Sequence, residues 1–181
     1  MRVSWGSKLK PTSAMHPILE TVHAHLTKHD LTAVPLGDGE ALTTNVTLKH
    51  LRVHLFFCAD PDEQRLSIMG RHSVLVPVDR RAAVAEFITR LNWNLSGARF
   101  LMDYGDGEVC CRVDLEAGGA ALDDATLGKA ILRCCHLTDG FFPALMSVIY
   151  RGTAVVQAIE QGEAEFKVVV GALANEEEDE V

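Results

Sequence analysis

The sequence predicts an α+β fold: an antiparallel sheet whose one face is covered by helices. Three observations predict it. Apolar residues alternate with a period of two in several short runs, the pattern of half-buried strands. They recur at helical spacing in longer runs. Turn signals such as Asp60-Pro61-Asp62 and Gly105-Asp106-Gly107 join neighbouring strands, and short connections of that kind imply antiparallel pairing, because parallel strands need long crossovers.

Taken along the chain, residues 1–12 are polar and aperiodic and are expected to form a flexible arm. A helix is predicted after Ser13, running to about His29. Ser13 is a candidate cap, Pro17 suits the first turn, and Ile18, Leu19, Val22 and Leu26 form the apolar stripe. Three strands follow, carried by Leu42, Val46 and Leu48, by Leu51, Val53, Leu55 and Phe57, and by Leu66, Ile68, Val74 and Val76. The segment Gly70-Arg71-His72-Ser73 interrupts the third and predicts a bulge. Lys49-His50 is the expected turn between the first two.

A second helix is expected over about Arg80 to Leu95, capped by Asp79, with Val84, Phe87, Ile88, Leu91 and Leu95 inward. Two strands follow it, one with Phe100, Met102 and Tyr104, the next with Val109, Cys111, Val113 and Leu115. Their Gly-Asp-Gly connection is a hairpin signal. Asp123 or Asp124 then caps a third helix to about His136, and Pro143 opens a fourth that runs to about Glu160 and stops at Gly162. The predicted order is α-β-β-β-α-β-β-α with an extra C-terminal helix. The predicted organisation is a single domain over 13–162 followed by an acidic tail over 163–181.

Charge narrows the functional classes. The chain of 181 residues carries a net charge of −8, which disfavours wide contact with bare nucleic acid or an anionic membrane. Residues 161–181 hold seven acids and one base, so they contribute −6 of that total and leave the body nearly neutral. No run approaches the ~18 apolar residues of a membrane span, and Met1 to Pro11 lacks the apolar stretch of a secretory signal. A cytoplasmic location is expected. The five cysteines include the adjacent pairs Cys110-Cys111 and Cys134-Cys135, without metal-type C-x-x-C spacing, and read as reduced core thiols.

The search for chemistry predicts no catalytic residue, no cofactor site and no metal site. His25 and His29 are four apart and share a helix face, but a metal ion needs three or four ligands and no third is evident. They are read as edging the apolar stripe. Asn92 at a helix end is expected to make a capping or helix-to-strand hydrogen bond. Asp103, Asp106 and Glu108 flank a turn tip, too exposed for acid–base work. Cys135 and His136 are adjacent in a helix and point about 100° apart, which spoils a nucleophile–base bond. Neither glycine-rich phosphate-loop pattern is present.

Residues 79–152 carry a resemblance. A helix ending Leu91-Asn92-Trp93-Asn94 is followed by Phe100-Leu101-Met102-Asp103, then Gly107-Glu108-Val109 with Arg112, and later Asp139-Gly140-Phe141-Phe142-Pro143-Ala144-Leu145. In these stretches and in element order the chain resembles the YbjN family, whose fold is similar to the bacterial type III secretion chaperones. The resemblance implies a sensory-transduction regulator without a catalytic residue, of a fold whose chaperone members dimerise and hold extended segments of their partners. The acidic tail and the apolar stretch Phe166 to Leu173 depart from that pattern.

The function expected is that of a protein-binding adaptor, chaperone-like or regulatory, acting as a homodimer and gripping a partner with its sheet face and edges or in a groove. Candidate binding residues are Trp93, Phe141, Phe142, Gly152, Val155 and Ile159. Trp93 reads more readily as a core residue than as a binding anchor. Phe141 and Phe142 follow a turn, where two readings are open: at least one stands exposed as a binding anchor, or both plug the sheet. Gly152 lies on the apolar face of the fourth helix and suggests close approach of another backbone. Two other classes fit the sequence: a modulator of a nucleic-acid-binding protein, acting through the acidic tail, and a small enzyme whose site is scattered along the chain.

Overall fold

The structure, a computed structural model, describes residues 15–37, 39–60, 64–116 and 122–178. Helix α1 (Pro17–Lys28) opens on His16, whose Nδ1 accepts from the Ile18 N–H at 3.3 Å, with Pro17 in the first turn. The predicted cap, Ser13, lies outside the described residues. Four strands follow: β1 (Val34–Leu36), β2 (Ala41–Thr47), β3 (Arg52–Asp60) and β4 (Arg65–Leu75). A 3-10 turn (Val78–Arg80) leads into α2 (Arg81–Asn94), then β5 (Arg99–Met102) and β6 (Glu108–Glu116). Helix α3 (Asp124–Gly140) is capped by Asp123, whose carboxylate accepts from the Thr126 N–H at 2.8 Å. Helix α4 (Phe142–Met146), a π-type turn (Ser147–Arg151) and α5 (Val155–Glu178) complete the described chain.

The six strands form one antiparallel sheet in the order β1-β2-β3-β4-β6-β5. The α+β class and the antiparallel sheet agree with the sequence reading, and so does the irregularity in β4, where the pairing with β6 shifts between Arg71 and Leu75. The element order differs in two places. The short edge strand β1 was not predicted, because Val-Pro-Leu is three residues long and a proline lacks the N–H of a ladder; an edge tolerates both. The predicted fourth helix is two helices, discussed below.

Alternation decides which sheet face is buried. Leu42, Val53, Leu55, Phe57, Leu66, Ile68, Val109, Cys111 and Val113 point to one side and are almost wholly buried. Leu19, Val22 and Leu26 of α1, Val84, Phe87 and Leu91 of α2, and Leu127, Ile131 and Cys134 of α3 meet them. Each large side chain so buried contributes ~1.5–3 kcal/mol. Helix α3 crosses β4 where Gly70 removes the side chain: a Cβ there would lie 2.6 Å from Thr138 Oγ1 and 3.0 Å from Cys134 Sγ. Helix α2 ends beside β5, and α5 packs chiefly on α2, α3 and α4 rather than on the sheet.

The predicted continuous helix from Pro143 to Glu160 is corrected by the structure. Gly152 adopts φ +66°, ψ 24°, a left-handed turn that ends the π-type segment and reverses the chain. A Cβ on Gly152 would meet only the Arg80 guanidinium, at 3.8 Å. The glycine therefore supplies conformation and not close backbone approach. Gly162, predicted as a stop, lies inside α5, where a Cβ would fall 2.9 Å from Phe141 and 3.1 Å from Ala144. Close approach belongs to Gly162.

One cap and one helix end are likewise corrected. Asp79 does not cap α2, which has no side-chain cap and grows out of the 3-10 turn. Helix α3 does not end near His136 but continues to Gly140, where Phe166 of α5 packs 2.9 Å from the position a Cβ would take.

Candidate functional site

The predicted binding residues separate into core and surface. Phe141 is buried, edge-on to Phe100 at 6.1 Å between ring centroids and stacked on Phe166 at 5.6 Å. Phe142 is half-buried and meets the His72 ring at 5.4 Å. Neither is an exposed anchor. Trp93 shows the opposite: it is 89% exposed and not the core residue expected.

The reason lies in helical phase. Val84, Phe87, Ile88 and Leu91 occupy the buried stripe of α2. Trp93 follows Leu91 by two residues, about 200° around the helix, and so leaves on the far side. There it joins Thr89, Arg90 and Asn94 of α2 and Val156, Ile159, Glu160 and Glu163 of α5 around an open groove of about 470 Å³. Val156 is 50% exposed and Ile159 half-buried. Val155, half-buried, packs against the core, and Gly152 is exposed at the turn before α5. The structure thus brings Trp93 and Ile159 together, two of the six predicted residues, and adds Val156.

The groove has a charged rim. The Arg90 Nε–H donates to Glu86 Oε1 at 2.8 Å, so this guanidinium is held on the α2 wall. Asn94 donates to Glu163 Oε1 at 3.5 Å across the groove, and Glu160 stands one turn earlier on α5. No sequence signal marked the groove, because its two walls lie more than sixty residues apart and the helix break at Gly152 sets the direction of α5.

The sheet face turned away from the helices has a different character. Arg112 donates from Nε to Asp114 Oδ1 at 2.8 Å and from Nη2 to Ser67 Oγ at 2.7 Å; Ser67 donates to Asp114 at 2.7 Å, and Arg99 reaches Asp114 Oδ2 at 2.5 Å. Burial alone pushes the Asp114 carboxyl up, but the hydrogen bonds and positive charges outweigh it and hold it below its ordinary value. Next to this network the Arg71 guanidinium lies 4.3 Å from the Phe56 ring centroid and pairs with Glu108 at 3.2 Å. Ser67, Arg99, Arg112 and Asp114 satisfy one another, while the buried Arg71 Nε has no hydrogen-bond partner among the described residues.

Burial disfavours the thiolate form at three of the cysteines. Burial pushes Cys110 up to about 11 and Cys135 up to about 12, and raises Cys58 as well. The thiolate is the reactive form. Among the described residues all five cysteines are free, Cys134 donating weakly to the carbonyls of Cys111 and Ile68 at 3.6 and 3.9 Å. Among those residues no helix is long and apolar enough to cross a membrane.

A search of curated proteins returned no match. A family model described as "YbjN: Putative bacterial sensory transduction regulator" matches residues 19–146. The match runs from the first buried leucine of α1 through the sheet to the end of α4, and it includes Trp93 and the α2 wall of the groove while leaving out α5. The chain belongs to the YbjN family.

Proposed function

We propose that this protein is a non-catalytic regulatory adaptor that holds an apolar segment of a partner protein in the groove between α2 and α5. The observation that carries the reading is the 89% exposure of Trp93 beside Val156 and Ile159. An indole left in solvent forgoes ~2–3 kcal/mol of burial, and a tryptophan at the lip of an apolar groove is the side chain most often found to dominate a protein interface. The acidic residues Glu160 and Glu163 favour a segment whose apolar face is flanked by Lys or Arg.

Family membership supports a regulatory role. The sheet edges suit strand addition less well than the groove suits a side-chain anchor, since β1 is three residues long and contains Pro35. The reading further takes the protein as a cytoplasmic homodimer, on the resemblance of the family fold to secretion chaperones.

The test combines light scattering with affinity capture from lysate, using the full chain, Trp93→Ala and Tyr104→Ala. Tyr104 is 59% exposed at the β5–β6 turn and serves as the control. A partner retained by the wild type and by Tyr104→Ala but lost by Trp93→Ala supports the groove. A partner held equally by Trp93→Ala, or a strictly monomeric protein that recovers none, overturns the reading.

A further inference from the structure

We infer that His25, His29 and Asp124 form a binding site for a divalent transition-metal ion of the zinc class, joining the end of α1 to the start of α3. One donor atom from each residue can be chosen such that all lie within 4.8 Å of one another. The two imidazoles sit one helical turn apart with ring centroids 4.6 Å apart. Asp124 Oδ1 lies 2.5 Å from His25 Nδ1. Donors around a tetrahedral zinc ion, at ~2.0–2.2 Å from the metal, stand roughly 3.3 Å from one another. Binding requires the 2.5 Å His25–Asp124 contact to open toward that spacing, with the ion taking the place of the shared proton.

The donor set selects the ion. Two neutral imidazoles with one carboxylate suit borderline first-row ions such as Zn²⁺ or Co²⁺, with water completing the shell. Calcium and magnesium require more oxygen ligands than this cluster offers.

Two further features fit. His25 is 8% exposed, and its ring lies against α3 at Gly128, where a Cβ would come 3.3 Å from Cε1. A glycine inside a helix costs ~1 kcal/mol against alanine, and here it leaves room for the imidazole. The second feature is Lys28, whose Nζ donates to Asp124 Oδ2 at 2.6 Å. It already neutralises the carboxylate, and its side chain is 65% exposed. An arriving cation takes Oδ1 and repels the ammonium into solvent, so Lys28 weakens metal affinity. A cluster serving only to tie the helices has no such dependence.

The experiment is calorimetric titration of the untagged, full-length, reduced protein with zinc chloride, with the cobalt(II) absorption spectrum as a second readout. The wild type is expected to bind one zinc ion. His29→Ala, at an exposed position that keeps the fold, and Asp124→Asn are each expected to weaken binding by about tenfold or more. Lys28→Ala is expected to tighten it. The cobalt spectrum is expected to lack the intense near-ultraviolet bands of thiolate ligation. A wild type that binds no zinc, a His29→Ala variant that binds as well as the wild type, or a thiolate-type cobalt spectrum overturns the inference.

Discussion

The carboxamide of Asn92 pairs with both backbone polar groups of Phe100: Nδ2–H donates to the Phe100 carbonyl at 2.9 Å, and Oδ1 accepts from the Phe100 N–H at 2.8 Å. Strand β5 is an edge, paired only with β6. The last turn of α2 therefore does at that edge what a further strand would do. The geometry has two effects. It fixes the helix against the sheet beside the groove, and it removes two groups that an added strand needs.

Replacing Asn92 by alanine leaves the part-buried N–H and carbonyl of Phe100 without their partner. The expected cost is ~1–3 kcal/mol, read as a lower urea midpoint with unchanged slope. Asn92→Asp keeps the acceptor and loses the donor, so it is expected to be destabilised as well. An alanine variant as stable as the wild type would show that water satisfies Phe100 equally well.

The two glycines flanking α5's first turns predict different responses. Gly152→Ala meets only an ordinary contact with the Arg80 guanidinium but must hold φ +66°, at ~1–2 kcal/mol. Gly152→Asn is expected to recover part of that loss, because asparagine tolerates the left-handed region. Gly162→Ala sets a methyl 2.9 Å from the Phe141 ring, and the expected overpacking cost is ~1–3 kcal/mol. Gly162→Asn should be worse still. Thermal melts of the four variants separate strain from crowding.

These positions also show what the sequence made legible. Alternation in Val53-Leu55-Phe57 and Val109-Cys111-Val113 marked strands, since the period and the buried face coincide. The Gly105-Asp106-Gly107 turn, the Asp123 cap and the Asn92 hydrogen bond were readable because each is local chemistry. Trp93 differs from the core expectation because helical phase, not apolar character, sets the side of α2 on which it leaves. The break at Gly152 was hidden because Val155, Val156 and Ile159 continue a helical period on the far side of a reversal. Asp124 as a neighbour of His25 carried no signal at all, being 99 residues distant and brought there by the packing of α1 on α3.

Asp139 is a second case of long-range pinning. It sits in the last turn of α3, and its Oδ1 accepts from the backbone N–H groups of His50 at 2.8 Å and Leu51 at 3.2 Å. The β2–β3 connection, Lys49-His50, lacks glycine or proline, and this carboxylate supplies what the turn's own residues do not. Asp139→Ala is expected to cost ~1–3 kcal/mol and to speed amide exchange at His50 and Leu51 selectively. Asp139→Asn, which keeps an acceptor oxygen, is expected to retain most of the protection. Exchange that is unchanged at both amides in Asp139→Ala would exclude the pinning role.

His72 links burial to acid sensitivity. It is 7% exposed in β4, and neither ring nitrogen makes a hydrogen bond. Burial holds its pKa below the ordinary 6.5; the Val74 backbone opposes this, but falls short of hydrogen-bond geometry. A depressed histidine pKa means that the unfolded chain takes up the proton first. The stability tied to neutral His72 is complete above pH ~6.5, declines as pH falls toward the lower folded-state value, and declines no further below it. His72→Leu keeps an apolar ring-sized contact for Phe142 and removes the unsatisfied nitrogens. At pH 7.5 it is expected to lie within ~1 kcal/mol of the wild type. Between pH 6.5 and 5 the wild type should lose stability relative to the variant, measured by urea denaturation at each pH. The comparison cancels the other histidines, which both proteins share. Parallel pH profiles for the two would mean that His72 is protonated as readily in the folded protein as in the unfolded chain, and the burial argument would fail.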